Sequence, residues 1–226
     1  MTTQPLYRLN LSEIESSLRD VQRNFPQINA VLKSRRDAMT DEVVEHMMAG
    51  YAFVDHILSK AVDLFDMRYV YHMLELNHIV LCGVDAAVRQ EYHTHIELTT
   101  QRFYTQEKGY DIGSILDWYH KHRRDSVWKR AAGVYVRMLS QPQLFFEGNH
   151  RTGALVMSCL LVQDGKAPFV LTVENAEAYF NPSTLIKETQ KTRGAVLAKL
   201  PRMKKRFANF LQYQNQSANL LLTRTQ

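Results

Sequence analysis

The stretch Gln141 to Ala154, QPQLFFEGNHRTGA, places an acidic residue, a Gly-Asn turn and an arginine directly ahead of a long apolar run. A glycine-containing turn leaves backbone N–H groups bare. A helix that starts there adds its unpaired first-turn donors and the positive end of its dipole. Together these features make an anion site. Arg151 can grip a phosphate through two parallel hydrogen bonds, and Glu147 can hold a hard cation that rides on phosphate oxygens. Gly148, Asn149, His150, Arg151, Thr152 and Gly153 are the candidate ligand-binding residues, and Glu147 is the candidate metal ligand. The His150 ring reads as one more N–H toward an anion, or as a solvent-facing group, in preference to a relocated acid or base.

Two His-x-His pairs, His93/His95 and His120/His122, lack carboxylate or thiolate company at ligand spacing, so neither reads as a zinc site. The two cysteines, Cys82 and Cys159, lie in apolar settings and read as buried free thiols, in keeping with a reducing, cytoplasmic compartment. The opening MTTQPLYRLNLSE carries no apolar core or basic leader and does not read as a signal peptide. The longest apolar run, Ala154 to Val162, is too short to span a bilayer. With pI near 9.2 and net charge +5 the chain is mildly basic. Its basic face at Lys204 to Arg206 reads as a solvated helix surface, and nucleic acid as an unlikely partner.

The elements that must position the turn are mostly helical. Apolar residues recur at helical spacing from a Ser12–Glu15 capping pattern onward, again over Asp41–Leu64, Arg68–Leu81 and Val127–Leu139. Ser114 reads as the cap of a helix that follows a loop punctuated by Gly109 and Gly113. The helix after the turn, Asn149 to Val162, is apolar on nearly every face and so should be central. Pro182 is expected to open a helix that Gly194 ends, and Ala195 to Tyr213 forms a basic last helix before a polar, frayed tail. Tyr92 to Tyr104 differs: Ile96 and Leu98 alternate with polar residues in a threonine-rich run, which predicts a short strand or hairpin.

Phe145, Glu147, Gly148, Asn149 and Arg151 stand in the spacing of the H-P-F-x-[D/E]-G-N-G-R-x-x-R signature, and the Ala131-Ala132 doublet precedes it in a similar helical context. The chain thus resembles the Fic/Doc family over about residues 65 to 190. It departs from the signature at Gln143, Leu144, His150 and Ala154, where the family has histidine, proline, usually glycine or lysine, and a final arginine. The resemblance implies an all-α fold, a helical bundle with a small β-hairpin flap. It divides the chain into an N-terminal helical extension (1–64), a Fic-like core (65–192) and a C-terminal basic helix and tail (193–226).

The activity implied is transfer of AMP from ATP to a protein hydroxyl. Mg²⁺ would sit on Glu147, the phosphates in the 148–151 turn, and a target protein on the flap at 92–104, docked by strand addition. Gln143 occupies the place of the general base. Glutamine hydrogen-bonds but takes no proton at neutral pH, and losing a base costs about 10²–10⁴-fold in rate. Three readings stay open: an altered adenylyltransferase, a catalytically silent nucleotide-binding module, and a helical interaction protein in which the loop is a relic. The inhibitory pattern [S/T]-x-x-x-E-[G/N] has no clean copy, since Thr184–Glu188 is followed by Thr189. With Ala154 in place of the arginine that such a glutamate would pair with, a self-inhibitory clamp is not expected.

Overall fold

Hydrophobic periodicity of about 3.6 residues runs through most of this chain. The computed structural model, which describes residues 6–105, 111–192, 194–214 and 216–223, turns it into a mainly helical fold. In chain order the elements are β1 (Leu6–Leu9), α1 (Leu11–Val31), α2 (Asp41–Ser59), α3 (Tyr71–Cys82), α4 (Ala86–Glu91), α5 (His93–Tyr104), α6 (Ile112–Lys121), α7 (Val127–Leu139), α8 (Asn149–Gln163), α9 (Ala176–Lys187), α10 (Leu200–Tyr213) and β2 (Leu220–Thr223). No helix among the described residues is long and apolar enough to cross a membrane.

The all-apolar α8 is the axis. Residues Thr152 through Val162 are all buried, packed by α7 on one side and by α2 and α3 on others. One continuous core holds Ile14 and Val54 from the first 64 residues, Leu155 and Met138 from the middle and Phe207 from the end. Cys82 and Cys159 are buried free thiols, as their settings implied. The small sheet is antiparallel and joins the two ends of the chain, Leu6 opposite Thr223 and Leu9 opposite Leu220. It is fastened to α2 because Asp55 accepts from both the Arg8 guanidinium and Leu9 N.

Several local expectations need correction. His93–Tyr104 is helical, with Tyr92 as its N-cap, so this segment presents no strand for a target chain to join. Thr99 and Phe103, one turn apart, are its buried positions, and Phe103 stacks on Phe145 with ring centroids 5.5 Å apart. That tertiary contact outweighs the β preference of the threonines, one of which, Thr100, turns back to the Ile96 carbonyl four residues earlier, as the C-cap Thr105 does to Gln101. On a helix His93 and His95 lie about 200° apart and share no face.

The frayed tail is in part β2. α9 begins at Ala176 and carries Pro182 inside it, because the buried Asn175 side chain anchors its start by bonding Thr172 N and Val170 O. The last helix opens as a π-helical turn over Ala195–Lys199 ahead of Pro201, whose missing N–H breaks the α ladder. Asp111, not Ser114, caps α6 by accepting Ser114 N. Ser12 bonds Asn10 instead of capping α1, and α2 stops at Ser59. Gly109 lies outside the described residues.

Candidate functional site

The loop between α7 and α8 is tied down along its length. Phe145 N donates to Asn149 Oδ1 at 3.0 Å and Asn149 Nδ2 donates back to Phe145 O at 2.8 Å, closing a ring over residues 145–149. Asn77 Nδ2, from α3, donates to Glu147 O at 2.9 Å and Thr152 Oγ1 at 3.0 Å. Gly148 follows at φ +71°, where a Cβ would be strained and would stand 2.8 Å from Asn77 Nδ2. This left-handed residue is the N-cap of α8 and has no side chain to cap with. Among the described residues no acceptor meets the N–H groups of Asn149, His150 or Arg151.

These residues border a cleft of about 370 Å³. Gly148, Asn149, His150, Arg151 and Ala154 form one wall. Arg36 and Asp37 come from the α1–α2 loop, and Leu18, Phe25, Met47 and Phe180 supply apolar surface. The volume lies in the small-ligand range.

Arg151 is anchored by one nitrogen to the Val80 carbonyl. Burial lowers its pKa, and the charges of Glu147 and Glu42 act the other way. Arg36 reaches across the cleft. Its Nη2 donates to Thr184 Oγ1 at 2.7 Å, its Nη1 lies 3.4 Å from His150 Nε2, and its plane covers Phe180. Its Nε is buried with no partner.

His150 is more constrained than its sequence position implied. A guanidinium only donates, so Nε2 must accept from Arg36 and the ring proton sits on Nδ1. Nδ1–H then donates to Tyr135 Oη at 3.2 Å, Tyr135 donates to Ser183 Oγ at 2.7 Å, and Ser183 donates to Tyr179 O at 2.6 Å. Every member of that chain is used once, and only a neutral imidazole satisfies it. Burial, then the charges of Arg36 and Lys187, push the His150 pKa down to about 3. Neither reading of the ring from sequence describes it: it holds Arg36 in place.

The other candidate residues part company with the cleft. Thr152 is fully buried and accepts from Asn77, and Gly153 lets α8 pass close to the Tyr135 ring. Gln143 does not line the cleft; its carbonyl accepts from Arg102, and Arg102 covers Phe146. Glu147 is exposed, and among the described residues no three His, Cys, Asp or Glu side chains converge as a metal site. Glu147, the implied Mg²⁺ ligand, is not among the residues that line the cleft, and the carboxylate that does line it is Asp37.

Sequence reasoning missed Arg36, Asn77 and Tyr135. Nothing local marks them, since each reaches the turn only through the packing of a distant element. No family model, curated protein or solved structure matches this chain.

Proposed function

We propose that this protein is a Fic-like binding module that holds the phosphates of a nucleotide at the start of α8. The observation that carries the reading is a helix start, Gly148 to Arg151, whose first three N–H groups have no acceptor among the described residues and whose residues line, with Arg36, a cleft with apolar walls. The amides and guanidinium groups suit phosphate oxygens, and Leu18, Phe25 and Phe180 suit a base. Ala154 lines the same cleft where the resemblance puts a second arginine, and Arg36 supplies a cation there from another part of the chain. Binding without turnover is favoured because Gln143 takes no proton and the cleft histidine is committed to Arg36 and Tyr135.

Calorimetry with ATP, with and without Mg²⁺, tests this. The natural chain binds in both conditions, and Arg151→Ala and Arg36→Gln each lose most of the heat. Absence of binding to ATP, ADP and AMP alike overturns it.

The transferase reading keeps one support, the closed 145–149 ring that sets the turn onto α8. Gln143→His would then switch on AMP labelling of a target, and labelling by the natural chain would displace the silent module.

A further inference from the structure

Arg137 is a cation without an anion. It lies in the last turn of α7, and among the described residues no carboxylate, carbonyl or hydroxyl accepts from it. Its guanidinium carbon sits over the Trp118 ring, 4.9 Å from the centroid. Burial alone lowers its pKa to about 10. The negative end of the α7 dipole offsets part of that cost. The guanidinium is therefore partly desolvated but still reached by water, which leaves it open to an anion from outside.

Arg137 opens onto a cleft of about 220 Å³ walled by Trp118, His122, Gly133, Leu200 and Lys204. Gly133 makes it possible: any Cβ there would overlap Trp118 Cη2, so only glycine lets the indole lie against α7. His122 stacks on Trp118 with centroids 4.2 Å apart, and Lys204 Nζ lies 5.3 Å from the same ring. Lys204 shares Asp125 at 3.4 Å. The surroundings are strongly cationic. Residues 120–137 and 199–206 hold eleven of the 28 Lys and Arg of the chain and one of its 23 Asp and Glu, although Asp117 adjoins Trp118 and Asp164 pairs with Arg130 at 3.0 Å. The helices that carry most of them, α7 and α10, pack directly together.

We propose that this cleft takes one phosphate of a single-stranded nucleic acid, with the cations of α10 and of the turn after α6 meeting the phosphates on either side. The recess is below the roughly 300–1,000 Å³ of small-molecule sites, so it admits one link of a longer ligand. The wide basic surround fits a ligand whose charges repeat. A duplex presents its phosphates on a stiff cylinder and cannot bend one into a recess behind an indole, whereas a single strand can. A cationic groove with aromatic walls is the combination that binds single strands without reading sequence. Arg137, with a planar fork of donors, suits a phosphodiester.

Fluorescence anisotropy with a labelled oligouridine of about 16 nucleotides tests the proposal. The natural chain binds, with log K falling against log salt by about 0.7 for each phosphate neutralised. Arg137→Gln weakens binding and flattens that slope by about 0.7. Lys204→Gln, at the mouth of the cleft, does the same and guards against a folding defect in the first variant. Arg36→Gln and Arg151→Ala leave RNA binding unchanged, which separates this surface from the α8 cleft. The proposal is overturned if oligouridine does not bind, if both Arg137→Gln and Lys204→Gln match the natural chain in affinity and slope, or if polyglutamate or duplex RNA competes as well per charge as the single strand.

Discussion

Acidification will destabilise this protein through His150. In the unfolded chain the imidazole titrates near 6.5; in the fold burial and the charges of Arg36 and Lys187 hold it down to about 3. Between those values the unfolded state binds a proton that the folded state refuses, so unfolding becomes easier as pH falls. The contribution is complete above pH 6.5 and is lost progressively as pH drops toward 3. Each pH unit inside the window is worth at most about 1.4 kcal/mol, giving about 5 kcal/mol across the whole of it. From about pH 7 to about pH 4.5 the share of the loss that comes from His150 is roughly 2–3 kcal/mol.

His46 and His72, also lowered by burial, act in the same direction but are far more exposed. The difference between the natural chain and His150→Gln isolates the term. Glutamine can accept from Arg36 and donate to Tyr135 without titrating. Urea denaturation at several pH values across this range will show the natural chain losing stability and His150→Gln losing about 2 kcal/mol less. Parallel curves for the two proteins, or an NMR titration of His150 near 6.5, would refute the hydrogen-bond chain drawn through Tyr135.

Three further outcomes follow from the geometry. Gly148→Ala forces a Cβ into the left-handed region and against Asn77, and will cost at least about 1–2 kcal/mol in urea denaturation; an unchanged midpoint would mean the turn relaxes freely. Gly133→Ala drives Trp118 off α7 and will cost about 1–3 kcal/mol, with a shift in tryptophan emission that Trp118→Ala abolishes. Asp55→Ala leaves Leu9 N and Arg8 without their acceptor, so amide exchange in Leu6–Leu9 will quicken while α8 stays protected; equal protection in both proteins would show that the sheet holds itself.

The parts of this fold that were legible are those whose signal is local. Val127–Leu139 has a buried stripe at helical spacing and the α8 run is apolar all round, so both helices appear at or within a residue of their expected bounds. Gly148 opening a helix was legible for the same reason, because a Gly-Asn turn before an apolar run has few other uses. Failures arose where a distant partner decides. The threonines of α5 read as strand until Phe103 finds Phe145. Leu220–Thr223 reads as tail until it meets Leu6–Leu9. The basic face of α10 lacks aromatic company in sequence, yet Trp118 of α6 lies beside Lys204. Which side of the loop would face the cleft was likewise invisible, since Asn77 and Arg102 fix its carbonyls from α3 and α5.

The cleft at α8 has donors in excess. Three amides and the buried Nε of Arg36 have no acceptor among the described residues, and Arg151 spends one nitrogen on a carbonyl. A glycine N-cap has no side chain to accept from the first-turn amides, and at φ +71° no other residue fits here without strain. Gly148 bends the chain sharply enough for the ring of residues 145–149 to close, and it leaves the amides bare. His150 then spends its acceptor on Arg36, keeping a second cation beside those amides from a loop that the sequence places 114 residues away. A helix start without a side-chain cap, two guanidinium groups lining the same cleft and a histidine kept neutral to hold one of them are the features on which the proposed anion site rests.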